Sequence, residues 1–225
     1  MTAGRARRLR RGLYVALEGI DGAGKSTLLG ALGRAMRRRG RSVRLRREPV
    51  DPLIGRLAQE AGARDPWTGA VYFTVDRHLA APRLRADLER FDLVLSDRSF
   101  YSTVAYQGSR LAPRDRARLE ELQRKATVAP DRVLLLDLPP EWLRRRLTGR
   151  GAARGPLERA QLLARVALAY RRLARREGWA VLDARLPRRV LLREAVRALG
   201  STTTRGAGAG RGKRLRASRG PGSVR

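Results

Sequence analysis

A chain of 225 residues has room for one domain of ordinary size with tails, and its 42% hydrophobic content excludes a wholly disordered protein. The absence of cysteine excludes disulfide frameworks, thiol nucleophiles and cysteine-metal sites, and a single histidine, His78, leaves histidine-based triads and His-rich metal sites almost no material. The 51 basic against 21 acidic residues give +30, ordinarily the mark of a polyanionic partner, but only three of the 51 are lysines and asparagine is absent, an arginine bias of the kind a GC-rich coding sequence produces.

In chain order, residues 1–12 read as a basic disordered arm, with five arginines and no acid. The apolar run behind it, Leu13–Leu17, is broken by Glu18 before it reaches the length of a secretory signal, so a cytoplasmic protein is expected; no run approaches the roughly 20 residues of a membrane helix. Leu13–Leu17 is instead the first strand. It leads into Gly19-Ile20-Asp21-Gly22-Ala23-Gly24-Lys25-Ser26, which matches G-x-x-x-x-G-K-[ST] between a strand and the periodic helix marked by Leu28, Leu29, Leu32, Ala35 and Met36. In this context the glycines let successive N–H groups face one concavity, the helix start adds its dipole, Lys25 brings a point charge to the β- and γ-phosphates, and Ser26 offers a hydroxyl to Mg²⁺. Without asparagine the chain lacks the Asn-Lys-x-Asp element by which a G-protein reads guanine.

The second strand, Val43–Arg46, precedes Arg47-Glu48-Pro49, and further on Phe73 and Arg77 lie one helical turn apart, an aromatic face and a guanidinium on one side of a helix. His78 beside them reads as an incidental surface residue. The third strand, Leu93–Leu95, places Asp97 and Arg98 at a carboxyl end, where open α/β sheets bind ligands; a carboxylate there holds metal or metal-bound water and an arginine clamps phosphate. The fourth strand is Val133–Leu136. Neither Ser96-Asp97-Arg98 nor Leu136-Asp137-Leu138 carries the second acid by which motor ATPases polarise water, so transfer to an acceptor fits better than hydrolysis. A glycine- and arginine-rich stretch, about 148–157, reads as a mobile lid whose Arg150 and Arg154 swing onto donor phosphates. A helix through Leu162, Leu163, Val166, Tyr170 and Leu173, a fifth strand Ala180–Leu182, and a basic disordered tail at 201–225 complete the chain. The tail reads as solvated, with contact to a phosphate backbone by charge alone as its second reading.

Taken together, these segments resemble thymidylate kinase. Leu17 to Thr27 is similar to that family's phosphate loop, Arg47-Glu48-Pro49 to its Arg-Glu-Pro element, and Phe73-x-x-x-Arg77 to its base-recognition helix. Asp97-Arg98 with Ser102, Thr103 and Ala105-Tyr106-Gln107-Gly108 is similar to its Asp-Arg-x-x-x-Ser-x-x-Ala-Tyr-Gln-Gly segment, and Val181 to Ala184 to its last strand. The resemblance implies an α/β fold, a P-loop NTPase three-layer sandwich with a five-stranded parallel sheet, helices on both faces and a mobile lid, folded over residues 13–200. It implies a homodimer that phosphorylates dTMP with ATP and Mg²⁺. ATP phosphates would lie on Gly19, Ile20, Asp21, Gly22, Ala23, Gly24, Lys25, Ser26 and Thr27. Arg47 and Arg98 would hold the acceptor phosphate, Phe73 would stack on thymine, Arg77 would hydrogen-bond its edge, Thr103 would lie near the base and Tyr106 against the deoxyribose. Asp21 would contact the acceptor sugar or the metal shell, Ser26 and Asp97 would organise Mg²⁺, and Arg150 and Arg154 would join Lys25 as catalytic cations. The chain departs from the family after Pro49, where Val50-Asp51-Pro52-Leu53-Ile54-Gly55 replaces Gly-Gly-Thr-Pro-Leu-Gly, and at Val104, which stands where some bacterial members have glutamine. A kinase for another deoxynucleotide or pyrimidine monophosphate, and from another class a nucleic-acid-binding NTPase gripping a backbone with its basic arms, are the alternative readings.

Overall fold

The computed structural model describes residues 11–139, 141–142 and 156–200. Five strands form one sheet: β1 Leu13–Glu18, β2 Val43–Arg47, β3 Leu93–Asp97, β4 Arg132–Asp137 and β5 Ala180–Asp183. Their order is β2-β3-β1-β4-β5, and every neighbouring pair is parallel. Each strand runs one or two residues past the run that marks it in the sequence, ending on Glu18, Arg47, Asp97, Asp137 or Asp183. The backbone ladder continues where the side chains turn polar, because pairing uses N–H and C=O groups that every one of these residues has. That shared edge is where the chemistry collects. Arg47 and Leu17 both pair with Asp97, so the ends of β2, β3 and β1 lie level.

The layers follow from strand alternation. Val15, Leu95 and Leu45 share one sheet face, and helix α1 (Lys25–Arg37) covers it so closely that a Cβ on Gly33 would lie 2.9 Å from Leu45 Cδ2. Tyr14 and Val94 point the other way and pack with Leu84 and Leu88 of α3 (Pro66–Arg90), which completes three layers. Helix α2 (Pro52–Arg64) leans on α3 at a glycine crossing, where a Cβ on Gly69 would sit 2.5 Å from Gly62 Cα. Both helices open with Asp-Pro. Asp51 caps Leu53 N and Ile54 N, and Asp65 caps Trp67 N and Thr68 N, while the prolines occupy a first turn whose N–H groups have no helical partner.

Helices α4 (Phe100–Tyr106), α5 (Pro113–Ala126), α6 (Pro156–Glu177) and α7 (Arg188–Gly200), with a 3₁₀ turn at Gly108–Arg110, complete the described elements; α4 contacts both α5 and α6, and α7 packs on α1. Two residues of the arm belong to the fold. Arg11 pairs with Asp131, and Gly12 N donates to Leu88 O in a gap where a Cβ would meet Phe91 O at 1.9 Å. The rest of the arm, the tail from 201 and the lid through residue 155, with Arg150 and Arg154, lie outside the described residues.

Candidate active site

The phosphate loop joins β1 to α1 with φ of 142°, 80° and 99° at Gly19, Gly22 and Gly24, values that a residue with a Cβ adopts at a cost. Ile20 and Ala23 turn their side chains into the core, and Ala23 N donates to Ile20 O at 3.2 Å, so that N–H closes the loop. Lys25 is buried and donates from Nζ to Gly19 O at 2.9 Å and Ile20 O at 3.0 Å. Burial, and after it the Arg98 charge, lowers its pKa to about 8. Ser26 Oγ donates to Asp97 Oδ2 at 2.5 Å, which brings the two expected metal-site residues together; Thr27 beside them is exposed.

Next to the loop lies a cleft of about 830 Å³ that contains all six expected acceptor residues, Arg47, Phe73, Arg77, Arg98, Thr103 and Tyr106, and reaches the phosphate loop at Asp21. Arg98 is its pivot. It sits just beyond β3 with φ of 81°, a left-handed conformation that strains a non-glycine residue and that marks functional positions when the surroundings enforce it. Its backbone N–H donates to Leu17 O at 3.0 Å, its side chain pairs with Asp21 and donates to Ser102 Oγ at 3.0 Å, and its guanidinium stands 5.2 Å from the Tyr106 ring centroid. Tyr106 in turn accepts from Asp21 N at 3.0 Å through its hydroxyl, whose pKa burial pushes up to about 12.

Three positions have surroundings that the sequence does not show. Arg77 is not a freely available base reader: its Nε donates to Glu48 Oε2 at 2.6 Å, Nη1 to Thr103 Oγ1 at 2.8 Å and Gln123 Oε1 at 3.3 Å, and Nη2 to Ser99 O at 3.1 Å, leaving one Nη2 proton for a ligand. The cause is burial, since a guanidinium away from water needs partners; Glu48, whose carboxyl burial pushes up while Arg77 pulls it back, is the principal one. Val104 is not among the residues that line the cleft. It faces away from the cleft into the core with Phe100 and Leu173. The altered segment after Pro49 is held by Asp76, whose buried carboxylate accepts from Val50 N at 2.9 Å and Asp51 N at 2.8 Å, so the carboxylate beside Arg77 in the chain turns to the loop. His78 is exposed, as expected.

The sequence reading missed Gln161 and Arg165, which reach the cleft from α6, and Arg110, which lies at its rim and donates to Gly62 O and Ala63 O at the end of α2. Only the one-turn spacing of Gln161 and Arg165 on the helix that begins at Pro156 could have flagged them.

Comparison with known proteins agrees with this geometry. The family model for thymidylate kinase matches residues 17–195. The chain belongs to the thymidylate kinase family. A thymidylate kinase of Thermomicrobium roseum is 38% identical over 189 residues, covering 79% of this chain and 90% of that protein. A thymidylate kinase of Leifsonia xyli is 37% identical over 191 residues with the same coverage, and a probable thymidylate kinase of Thermococcus gammatolerans is 40% identical over 152 residues, 62% of this chain and 72% of the relative. The family match thus begins at the last apolar residue before the phosphate loop and spans every element that lines the cleft.

Proposed function

We propose that this thymidylate kinase family member transfers the γ-phosphoryl group of ATP to dTMP, forming dTDP for dTTP synthesis in the cytoplasm. One observation carries the reading: Arg98 joins the two half-sites, bonded to Asp21 of the phosphate loop and to Ser102 in the wall of the acceptor cleft. Transfer between two phosphates asks for positioning and charge neutralisation, with little covalent chemistry. ATP phosphates sit on the loop from Gly19 to Thr27, where Lys25 exchanges the carbonyls of Gly19 and Ile20 for phosphate oxygens. Arg98 and Arg47, one from the end of each adjacent strand, hold the acceptor phosphate. Phe73 stacks on the base, the remaining Nη2 proton of Arg77 and the Thr103 side chain meet its edge, and Tyr106 packs against the deoxyribose. Asp21, through Arg98 and Tyr106, keeps the acceptor in line with the loop. Arg150 and Arg154 supply the lid charge.

The paired oxygens of Ser26 and Asp97 suit Mg²⁺, a hard cation that takes part of its shell from substrate phosphates and water. Among the described residues no group of three or more His, Cys, Asp or Glu forms a metal cage, so the protein contributes few ligands. When bound, the metal neutralises charge on the β- and γ-phosphates. No helix among the described residues is long and apolar enough to cross a membrane.

The test is ADP release with ATP and Mg²⁺ against dTMP, dUMP, UMP, CMP, dCMP, dGMP and AMP. Turnover is expected with dTMP above all others; a different preferred monophosphate would overturn the base assignment alone, and silence across the panel would overturn the reaction.

Homodimerisation is the second part of the reading. Leu53 and Leu57 on α2, with Val71, Val75 and Leu79 on α3, recur at four-residue spacing and stay exposed, up to 66% at Leu79. Two stripes on packed neighbouring helices suit a second copy of the same face, as a two-fold interface requires. Light scattering is expected to report a dimer that Leu79→Glu converts to monomer; an unchanged dimer would place the interface elsewhere.

A further inference from the structure

Glu18, the last residue of β1, is fully buried between the two half-sites and touches neither ligand in the reading above. Its Oε1 accepts from Ser99 N and Ser99 Oγ, both at 2.7 Å, and its Oε2 accepts from Ser102 Oγ at 2.7 Å and Tyr170 OH at 2.8 Å. Four donors on one carboxylate tie the strand before the phosphate loop to α4 and to α6. We propose that Glu18 is a positioning residue for acceptor binding, which sets the polarity of Ser102 so that its oxygen lone pairs face Arg98. The inference rests on Arg98 being the acceptor clamp.

The argument is one of proton counting. A hydroxyl has a single proton, and a carboxylate offers only acceptors. Ser102 commits its proton to Glu18 Oε2, so toward Arg98 Nη1, 3.0 Å away, it can only accept. Tyr170, 3.0 Å from Ser102, commits its own proton to the same Oε2 and does not compete for the lone pairs that Arg98 uses. A glutamine of the same size reverses this order. The Ser99 backbone N–H is always a donor, so the amide oxygen must stay opposite it, and the amide NH₂ then faces Ser102 and Tyr170. Both hydroxyls become acceptors there; Tyr170 then turns its proton to Ser102 Oγ, 3.0 Å away, and the Ser102 proton, with both lone pairs of that oxygen taken, turns toward the guanidinium. Arg98 loses a partner and gains a repulsive contact without any change in packed volume.

Steady-state kinetics of the full chain with Mg²⁺-ATP and dTMP test this. Glu18→Gln is expected to raise the KM for dTMP about tenfold or more while the KM for ATP stays within about twofold, and Ser102→Ala to raise the dTMP KM in the same direction. Because Glu18 acts through Ser102, the double variant should be no worse than Glu18→Gln alone, a coupling that a merely structural carboxylate would not show. A dTMP KM left unchanged, a parallel rise for both substrates, or additive effects in the double variant would overturn the proposal. If Glu18→Gln fails to fold, Ser102→Ala decides alone, by whether dTMP KM rises selectively. Wild-type silence toward dTMP would instead refute the function on which the inference rests.

Discussion

Lys25→Ala is expected to lower kcat by about a thousandfold or more, the scale on which removal of a single preorganised cation or donor from a transition state is felt. The ammonium is buried at the start of α1 and held by the carbonyls of Gly19 and Ile20, so in the proposed reaction it needs no repositioning to meet the developing γ-phosphate charge. Its own pKa supplies a second readout. The folded state lowers it from 10.5 to about 8, so between these values the unfolded chain binds more protons than the folded one, and folding stability gains with rising pH. Against a Lys25→Met control, the wild-type protein should therefore gain stability between pH 8 and pH 10 in denaturant melts. Nucleotide binding runs the other way, because phosphates need the cation: affinity for ATP should fall as pH rises past about 8, and binding near that pH should take up a proton. Calorimetry in buffers of different ionisation enthalpy measures that uptake. A Lys25→Ala enzyme with near-normal turnover would refute the loop assignment.

Arg98→Ala should weaken acceptor use by about a hundredfold in kcat/KM and leave ATP binding nearly intact. Two losses combine. The guanidinium that would pair with the acceptor phosphate disappears, and Asp21, whose charge it balances, then confronts the incoming dianion. The backbone provides a control, because φ at this position is 81°. Alanine inherits the strain, whereas Arg98→Gly relieves about 1 kcal/mol of it. The glycine variant should thus be the more stable of the two and no more active. If acceptor KM were unchanged in both, Arg98 would not be the clamp; if activity tracked thermal midpoint, the defect would be one of folding.

The legible part of this protein is local. Runs of three to five residues, apolar in four strands and alternating with arginine in β2, marked all five strands, and G-x-x-x-x-G-K-S between strand and helix marked the phosphate loop, because sheet burial and the loop's tight turns leave signatures within a few neighbouring residues. Strand ends were less legible. Glu18, Arg47 and Asp97 continue the ladder although their side chains do not look like strand. Helix α3 was legible only as the turn from Phe73 to Arg77, for Pro82 within it would ordinarily stop a helix; the 25-residue helix continues past it with Ala81, Leu84 and Leu88 buried.

Side-chain partnership is what the linear order hides. Arg77 looked equipped to read a base, yet Glu48, 29 residues away, and Gln123, 46 residues away, take most of its protons. Val104, one of the departures from the family pattern, turned out to be core. Asp76, next to Arg77 in the chain, carries the loop after Pro49. Glu18 meets Tyr170 across 152 residues. Amino-acid order alone was enough to place the phosphate loop and the strands, since each depends on contacts within a few positions, and to name six residues that the fold gathers around one cleft. Which of those residues are free for a ligand and which are spent on the protein was decided only when the sheet order β2-β3-β1-β4-β5 brought distant polar groups within about 3 Å, because buried donors and acceptors must find partners wherever the fold places them.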